Sequence, residues 1–251
     1  CALPISLSFA LSRIGDGATR SGGERDVPLH IWKTESFQSW YRAQTGAGNR
    51  LDGAKVLWSF RVGKTKSFTF AYTLHVNVFI GSENRNKINE FVFSRTDVAA
   101  VVAYQKPANQ DANHTKVALV REFRSPARTS DGCVHECPGG SSFKPGQNPL
   151  VVMAHELEEE TGLGPSVGFN IEPHRIVRVS SRQLAGTLSS HQAHVFACQL
   201  TDEEFAYLEE QQRLGVAHGV EADTERTYVE IFTLKDIMSV DTNLVDWSTL
   251  G

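Results

Sequence analysis

The chain is predicted to fold as an α/β protein of the α+β kind, with a mixed sheet, a few helices and a strand-rich leading region. Clusters of β-branched and aromatic residues recur at 27–32, 54–62, 67–80, 88–93, 98–104, 117–123 and 134–137, which is the pattern of strands. A strongly signalled helix follows at 149–161. Asn148 can cap it, Pro149 suits the first helical position, and Gly162 tolerates the left-handed conformation that ends it. The 251 residues, 40% hydrophobic and 22% charged, are ordinary for a globular chain with a real core. Disordered tails, collagen-like repeats and disulfide scaffolds are thereby excluded.

Taken in order, residues 1–23 are rich in Ser, Ala, Leu and Gly, with Arg13 and Arg20 against Asp16. That composition is expected of a flexible N-terminus or the remnant of an organellar transit segment, placed at residues 1–26. A strand-rich region follows over 27–95, with a short helix at 35–43 and turns at 46–53 and 81–86. The remaining domain covers 96–251. There Pro138, Gly139 and Gly140 break the chain into a loop, and a second loop, 141–148, leads into the capped helix. Strands are expected at 176–179, 193–200 and 228–234. Thr201 and Glu204 form a capping box for a helix reaching Leu214.

Charge is divided unevenly. Residues 1–148 hold 19 Lys and Arg against 12 Asp and Glu, a net +7, while residues 149–251 hold 6 against 17, a net −11. By itself this reads as solvated faces of opposite sign, although an acidic part also suits divalent cations and a basic part phosphates. No apolar run approaches the ~18 residues of a membrane span, so no membrane partner is expected. Four cysteines give no disulfide framework and point to a reducing compartment. Cys133, His135 and Cys137 share a face of a strand, but its ends lie about 13 Å apart at ~3.3 Å per residue, too far for one zinc ion. Trp58, Phe60, Phe68, Phe70 and Tyr72 alternate with polar residues and are expected to bury one face of the sheet, with a stacked nucleobase as the alternative.

The chemistry-bearing pattern is His155-Glu156-Leu157-Glu158-Glu159-Glu160-Thr161-Gly162-Leu163 on the 149–161 helix. Leu150, Met153, Ala154, Leu157 and Thr161 share a face suited to burial. Glu156, Glu159 and Glu160 project together from a neighbouring face, and Glu158 points to solvent. Carboxylates that close repel one another unless a cation sits among them, and hard oxygen donors select Mg²⁺ or Mn²⁺. The segment resembles the Nudix box, G-x5-E-x7-R-E-U-x-E-E-x-G-U with U aliphatic. Glu156, Leu157, Glu159, Glu160, Gly162 and Leu163 match its second half. His155 stands at the Arg position, Gln147 at a Glu position, and six residues separate Gly140 from Gln147.

The resemblance spans roughly residues 97–240 and implies a Nudix α/β/α sandwich whose helix carboxylates bind Mg²⁺ while water attacks one phosphorus of a pyrophosphate. It makes Glu156 and Glu160 metal ligands, Glu159 a ligand or a catalytic group beside them, and the Gly139 carbonyl a further ligand. His155 can hydrogen-bond a helix Glu but lacks the fixed fork and permanent charge of Arg. Neutral Gln147 weakens any metal site it joins.

Val120-Arg121-Glu122-Phe123-Arg124-Ser125-Pro126 and Val134-His135-Glu136-Cys137-Pro138-Gly139-Gly140 are similar to the ADP-ribose and nucleotide-sugar pyrophosphatase branch. This likeness makes Arg121 and Arg124 substrate-binding, with Arg124 on phosphate or ribose, and Glu136 an acid beside the metal. Leu184-Ala185-Gly186-Thr187 and His194-Val195-Phe196 match the branch's Pro-Gly loop and the strand after it, with His191 where an acid is common. The branch takes its general base from a loop before a late strand, which places that role on Glu225.

The implied activity is a Mg²⁺-dependent pyrophosphohydrolase for a nucleoside diphosphate linked to a sugar or to the 5′ end of RNA. The degenerate box, the basic first half and the transit-like start are similar to a kinetoplastid mitochondrial branch of the family that stabilises mRNA. That likeness implies a mitochondrial location, with the cytoplasm as the alternative, and an RNA-binding protein partner. The competing reading is a catalytically weakened Nudix domain that binds nucleotide or RNA within a larger complex. Relatives that dimerise through N-terminal strands imply a homodimer interface over 27–95.

Overall fold

The computed structural model describes residues 20–142, 146–220 and 224–239. Most of the transit-like segment, Pro145 of the second loop, and Glu221, Ala222 and Asp223 of the acidic loop lie outside the described residues. The fold is mixed α+β, as the strand and helix signals require. Two compact units are present. The first comprises Cys1–Asp97, Phe143–Gly146 and Gln183–Gln192; the second comprises Val98–Ser142, Gln147–Arg182 and Ala193–Gly251.

In the first unit, β1 (Arg50–Val62), β2 (Phe68–Ile80) and β3 (Arg85–Arg95) form an antiparallel sheet in that order. Tyr72, Leu74, Val76 and Val78 recur at the two-residue period of a strand and are buried on one face. They meet Val27, Ile31, Trp32 and Phe37 from the segment that contains α1 (Leu29–Trp32) and α2 (Glu35–Gly46). Thr34 caps α2 by accepting the Phe37 N–H at 3.2 Å.

Two expectations fail here. Residues 27–32 are not a strand, because Leu29–Trp32 is a helical turn after Pro28. Strand alternation would send Ile31 and Trp32 to opposite sides, whereas a helical turn buries both beside Val27. The β1 aromatics are not core: Trp58 and Phe60 sit on the face away from the helices and are 49% and 47% exposed. β1 and β3 also run into the stretches expected as turns at 46–53 and 81–86.

The second unit is built on an eight-stranded mixed sheet. Its strands are β4 (Val98–Gln105), β5 (Lys116–Phe123), β6 (Cys133–Glu136), β7 (Gly139–Gly140), β8 (Ile176–Gln183), β9 (Gln192–Gln199), β10 (Ala217–His218) and β11 (Thr227–Thr233). The order is β10-β11-β5-β4-β9-β8, with β6 added on β5 and β7 on β4. β4 and β9 run parallel, while β11–β5 and β4–β5 run antiparallel. The main core joins Val101, Phe196 and Val229 of the sheet to Met153 and Leu157 of α3 (Pro149–Thr161) and Phe205 and Leu208 of α4 (Asp202–Leu214). Val117 and Leu119 face the other way, towards Phe232 and α5 (Leu234–Ile237).

The caps of α3 and α4 form as the sequence requires. The Asn148 side chain accepts the Leu150 N–H at 3.0 Å, Gly162 takes φ 71°, and Thr201 and Glu204 bond reciprocally. The buried stripe of α3 differs from the expected one: Val152, Met153, Leu157, Glu160 and Thr161 are buried, while Ala154 is exposed. Pro138–Gly139–Gly140 is not wholly loop, since Gly139 and Gly140 pair with Ala100 and Ala99. A Cβ on Gly139 would lie 2.6 Å from the Ala99 carbonyl oxygen, so only glycine lets the two backbones meet. Among the described residues no helix is long and apolar enough to cross a membrane.

Candidate functional site

β5, α3 and the segment leading into β11 bring three carboxylates together. Donor oxygens of Glu122, Glu160 and Glu225 all lie within 4.8 Å of one another, in the only such group of metal-capable side chains among the described residues. Strand pairing explains the convergence. Glu122 is directly paired with Thr227 on β11, and the Thr227 hydroxyl donates to the Glu160 carbonyl at 2.8 Å. Glu225 stands two residues before Thr227, so the same anchor holds it near the end of α3.

The cluster is dry. Glu160 is 3% exposed and Glu122 is 7% exposed. Burial pushes the Glu160 carboxyl up to about 9, against the favourable N–H of Gly139, and Glu156, Glu225 and Glu122 add repulsion. Burial also raises Glu122 to about 7, with Arg124 opposing and Glu225 and Glu136 reinforcing the shift. Buried carboxylates raised this far lack sufficient positive charge nearby, because their ionised forms are not fully compensated.

Arg124 is the cation that the protein itself supplies. Its Nε donates to Glu136 at 2.9 Å, and one of its terminal nitrogens lies 2.8 Å from both Glu136 and Glu122. The approach to Glu122 is an ion pair without hydrogen-bond alignment, which leaves the buried Glu122 Oε2 with no donor. Glu160 Oε2 instead accepts the Gly139 N–H at 2.8 Å. One guanidinium therefore spans Glu122 and Glu136, while Glu160 is held by backbone.

The other residues singled out in the sequence divide into two sets. Glu156 belongs to the site's surroundings, since it repels Glu160 and its carboxylate lies within 2.6 Å of where a Gly140 Cβ would stand. Gly139 reaches Glu160 through its amide. Glu159 turns to His155, whose Nδ1 lies 2.8 Å away, and the His155 side chain is 71% exposed. Arg121 alternates with Glu122 along β5 and therefore faces the opposite side, where it pairs with Asp131 at 2.6 Å and lies 3.9 Å from Glu230. Gln147 accepts the Ser142 hydroxyl. Glu158 accepts the Ser166 N–H at 2.8 Å, and His135 meets Glu230 at 2.8 Å. His191 lies in the first unit, hydrogen-bonded to Ser189 at 2.8 Å.

Glu122 is the member that residue-by-residue reading did not single out. Its signal was strand parity: β5 alternates, so Glu122 must share the core-facing side with Ala118 and Val120, where an acid needs a reason.

Two buried carboxylates and the half-buried Glu225, with Arg124 paired to Glu122, can take up a hard divalent cation, and Arg124 offers a charge suited to an oxyanion beside it. No family model matches the chain, and no curated protein matches it.

Proposed function

We propose that the second unit is a Mg²⁺-dependent pyrophosphohydrolase of the Nudix type, acting on a nucleoside diphosphate linked to another group. The observation that carries this reading is the convergence of buried Glu122 and Glu160 with half-buried Glu225, with Arg124 at the rim. Glu122 Oε2, which accepts no hydrogen bond although Arg124 lies 2.8 Å away, and the raised Glu160 support a cation site, and oxygen donors fit Mg²⁺ or Mn²⁺. Glu160, Glu122 and Glu225 would hold the ion, with Glu156 adjacent. When bound, Mg²⁺ polarises phosphoryl oxygens and offsets the charge of the pyrophosphate.

The chain's own groups divide the remaining work. The Gly139 amide fixes the Glu160 carboxylate, and Glu136 holds Arg124 where its free donors can meet a phosphate oxygen. Glu225, approached from the loop before β11, orients or deprotonates the attacking water. A second reading, a weakened Nudix domain that binds nucleotide without efficient turnover, is favoured by His155, which is spent on Glu159 at an exposed position.

The test is a panel of ADP-ribose, nucleotide sugars, diadenosine polyphosphates and 5′-triphosphorylated RNA, assayed with and without Mg²⁺ on the wild type and on Glu122→Gln. Mg²⁺-dependent release of a nucleoside monophosphate or pyrophosphate, lost in Glu122→Gln, is expected. Binding of the diphosphate without turnover would select the second reading, and neither binding nor turnover would reject both.

A further inference from the structure

The first unit carries a surface that the hydrolase reading leaves unused. On the sheet face away from α1 and α2, register places Lys55 opposite His75 and His75 opposite Phe91, with Trp58 opposite Thr73 and Phe60 opposite Ala71. Directly paired residues project to the same side, so these groups share one face. Trp58, Phe60 and Phe91 are 49%, 47% and 46% exposed. The Trp58 and Phe60 rings lie parallel within 3°, with centroids 6.1 Å apart, and His75 packs on Phe91 at 5.2 Å.

Charge distinguishes this patch from an ordinary apolar one. Residues 53–82 contain no Asp or Glu, yet they hold Lys55, Arg61, Lys64 and Lys66. The acids elsewhere in the sheet are each engaged, Asp52 by Arg50, Glu83 by Arg85 and Glu90 by Lys87. Lys55, Lys64 and Lys66 are exposed, and none has an acidic partner among the described residues. Lys64 and Lys66 sit on the turn just beyond Phe60, so stacked rings lead directly into uncompensated positive charge.

A protein partner's apolar face would cover the rings but desolvate the lysines without return. A single-stranded polyanion satisfies both, because every base has a face to stack and every linkage a charge to neutralise. We propose that this sheet face binds single-stranded RNA, with bases on Trp58, Phe60 and Phe91 and phosphates along Lys55, Lys64 and Lys66. Thr73 and His75, set among the rings, supply hydrogen-bonding groups for 2′-hydroxyls. The inference does not rest on the hydrolase reading.

The experiment uses the full chain in EDTA, which keeps divalent cations out of the acid cluster, and a labelled oligouridine of about twelve nucleotides. Fluorescence anisotropy is followed across salt for Trp58→Ala, Phe60→Ala and the pair Lys64→Ala with Lys66→Ala, beside the matching oligothymidine. Each ring deletion is expected to weaken the ribo-oligomer roughly tenfold, with circular dichroism unchanged because these side chains lie outside the core. The lysine pair should flatten the log–log salt slope by ~1.4, about 0.7 for each contact. The deoxy-oligomer should bind more weakly, and Glu160→Gln should bind RNA like the wild type, so that failure here and failure of the hydrolase reading stay separate. Unchanged RNA affinity in both ring variants would overturn the proposal, and equal binding of oligothymidine would overturn the RNA assignment. Loss of self-association in Trp58→Ala with RNA affinity intact would give the face to a second copy instead.

Discussion

On β5 and just beyond it in the second unit the cations are engaged, Arg124 by Glu122 and Glu136, and Arg121, on the other side of the sheet, by Asp131 and Glu230. In the first unit Lys55, Lys64 and Lys66 lie exposed with no acidic partner among the described residues. The difference follows from burial. A charge removed from water must be compensated locally or neutralised, and the second unit does both, through Arg124 and through carboxyls raised to about 7 and about 9. A solvated lysine needs no such compensation and remains available to an outside partner. Chain charge is thus organised by solvent exposure as well as by sign.

Glu160→Gln should produce the largest effect that breaks this contrast. If the cluster holds the catalytic ion, Mg²⁺-dependent turnover should fall by about a hundredfold or more, since a ligand of the charge-stabilising ion is lost. The same substitution should stabilise the metal-free fold. With the folded carboxyl at about 9 and the ordinary value at 4.5, the stability contributed by Glu160 is full below the ordinary value and is lost as pH rises towards the folded one. Glutamine does not titrate and can still accept the Gly139 N–H. Urea unfolding should therefore show the variant gaining on the order of 1–3 kcal/mol relative to wild type between pH 5 and pH 8. A gain independent of pH would place the Glu160 carboxyl in the usual range.

The same shifts set the pH dependence of metal loading. If Mg²⁺ binds at the cluster it must displace the protons held by Glu160 and Glu122, so its affinity should rise as pH increases from 6 to 9. Calorimetry in buffers of different ionisation enthalpy should show proton release on binding. Affinity flat across that range would mean the ion does not touch these carboxyls.

Arg124→Ala comes next in size. It removes the cation paired with Glu122 among the described residues, so it should push that carboxyl higher still and weaken diphosphate binding roughly tenfold in KM. RNA binding by the first unit should be untouched. His155→Arg alone should be smallest, within a few-fold in turnover, because the side chain is exposed and already reaches Glu159. Combined with Gln147→Glu it should raise Mg²⁺ affinity, and an unchanged metal titration would show that position 147 lies away from the ion.

Legibility in the sequence varied with how many independent signals a segment carried. α3 was readable because Asn148, Pro149 and Gly162 signal both its ends, and α4 because Thr201 and Glu204 form a capping box at its start. The 27–32 segment carried only an apolar run, which does not separate a strand from a helical turn, and packing against β2 decided it. The helix carboxylates could be found from spacing, but Glu160 turning inward while Glu159 turns to His155 depends on the position of the sheet. Glu122 lies on β5 and Glu225 on the segment before β11, and only the β5–β11 register puts them together. Exposure of Trp58 and Phe60 was unreadable for a similar reason: alternation shows that two faces differ, not which one the helices will cover.

β1 has one further consequence. It is a thirteen-residue strand that pairs with β2 alone among the described residues. The Gly22–Asp26 segment packs on it at Gly53 and Ala54, where Asp26 accepts the Ala54 N–H at 3.2 Å, and beyond that lies the kind of long border along which identical chains can zip together. Its pairing with β2 slips at three places, between Leu51 and Gly53, Val56 and Trp58, and Phe60 and Arg61. Each slip bends the strand and interrupts the row of backbone groups that a second copy would have to match, and Lys55 adds charge along the same border. The irregularities that expose Leu57 beside Trp58 thus also work as gatekeepers, letting the sheet display aromatic rings without offering a straight template for fibril growth.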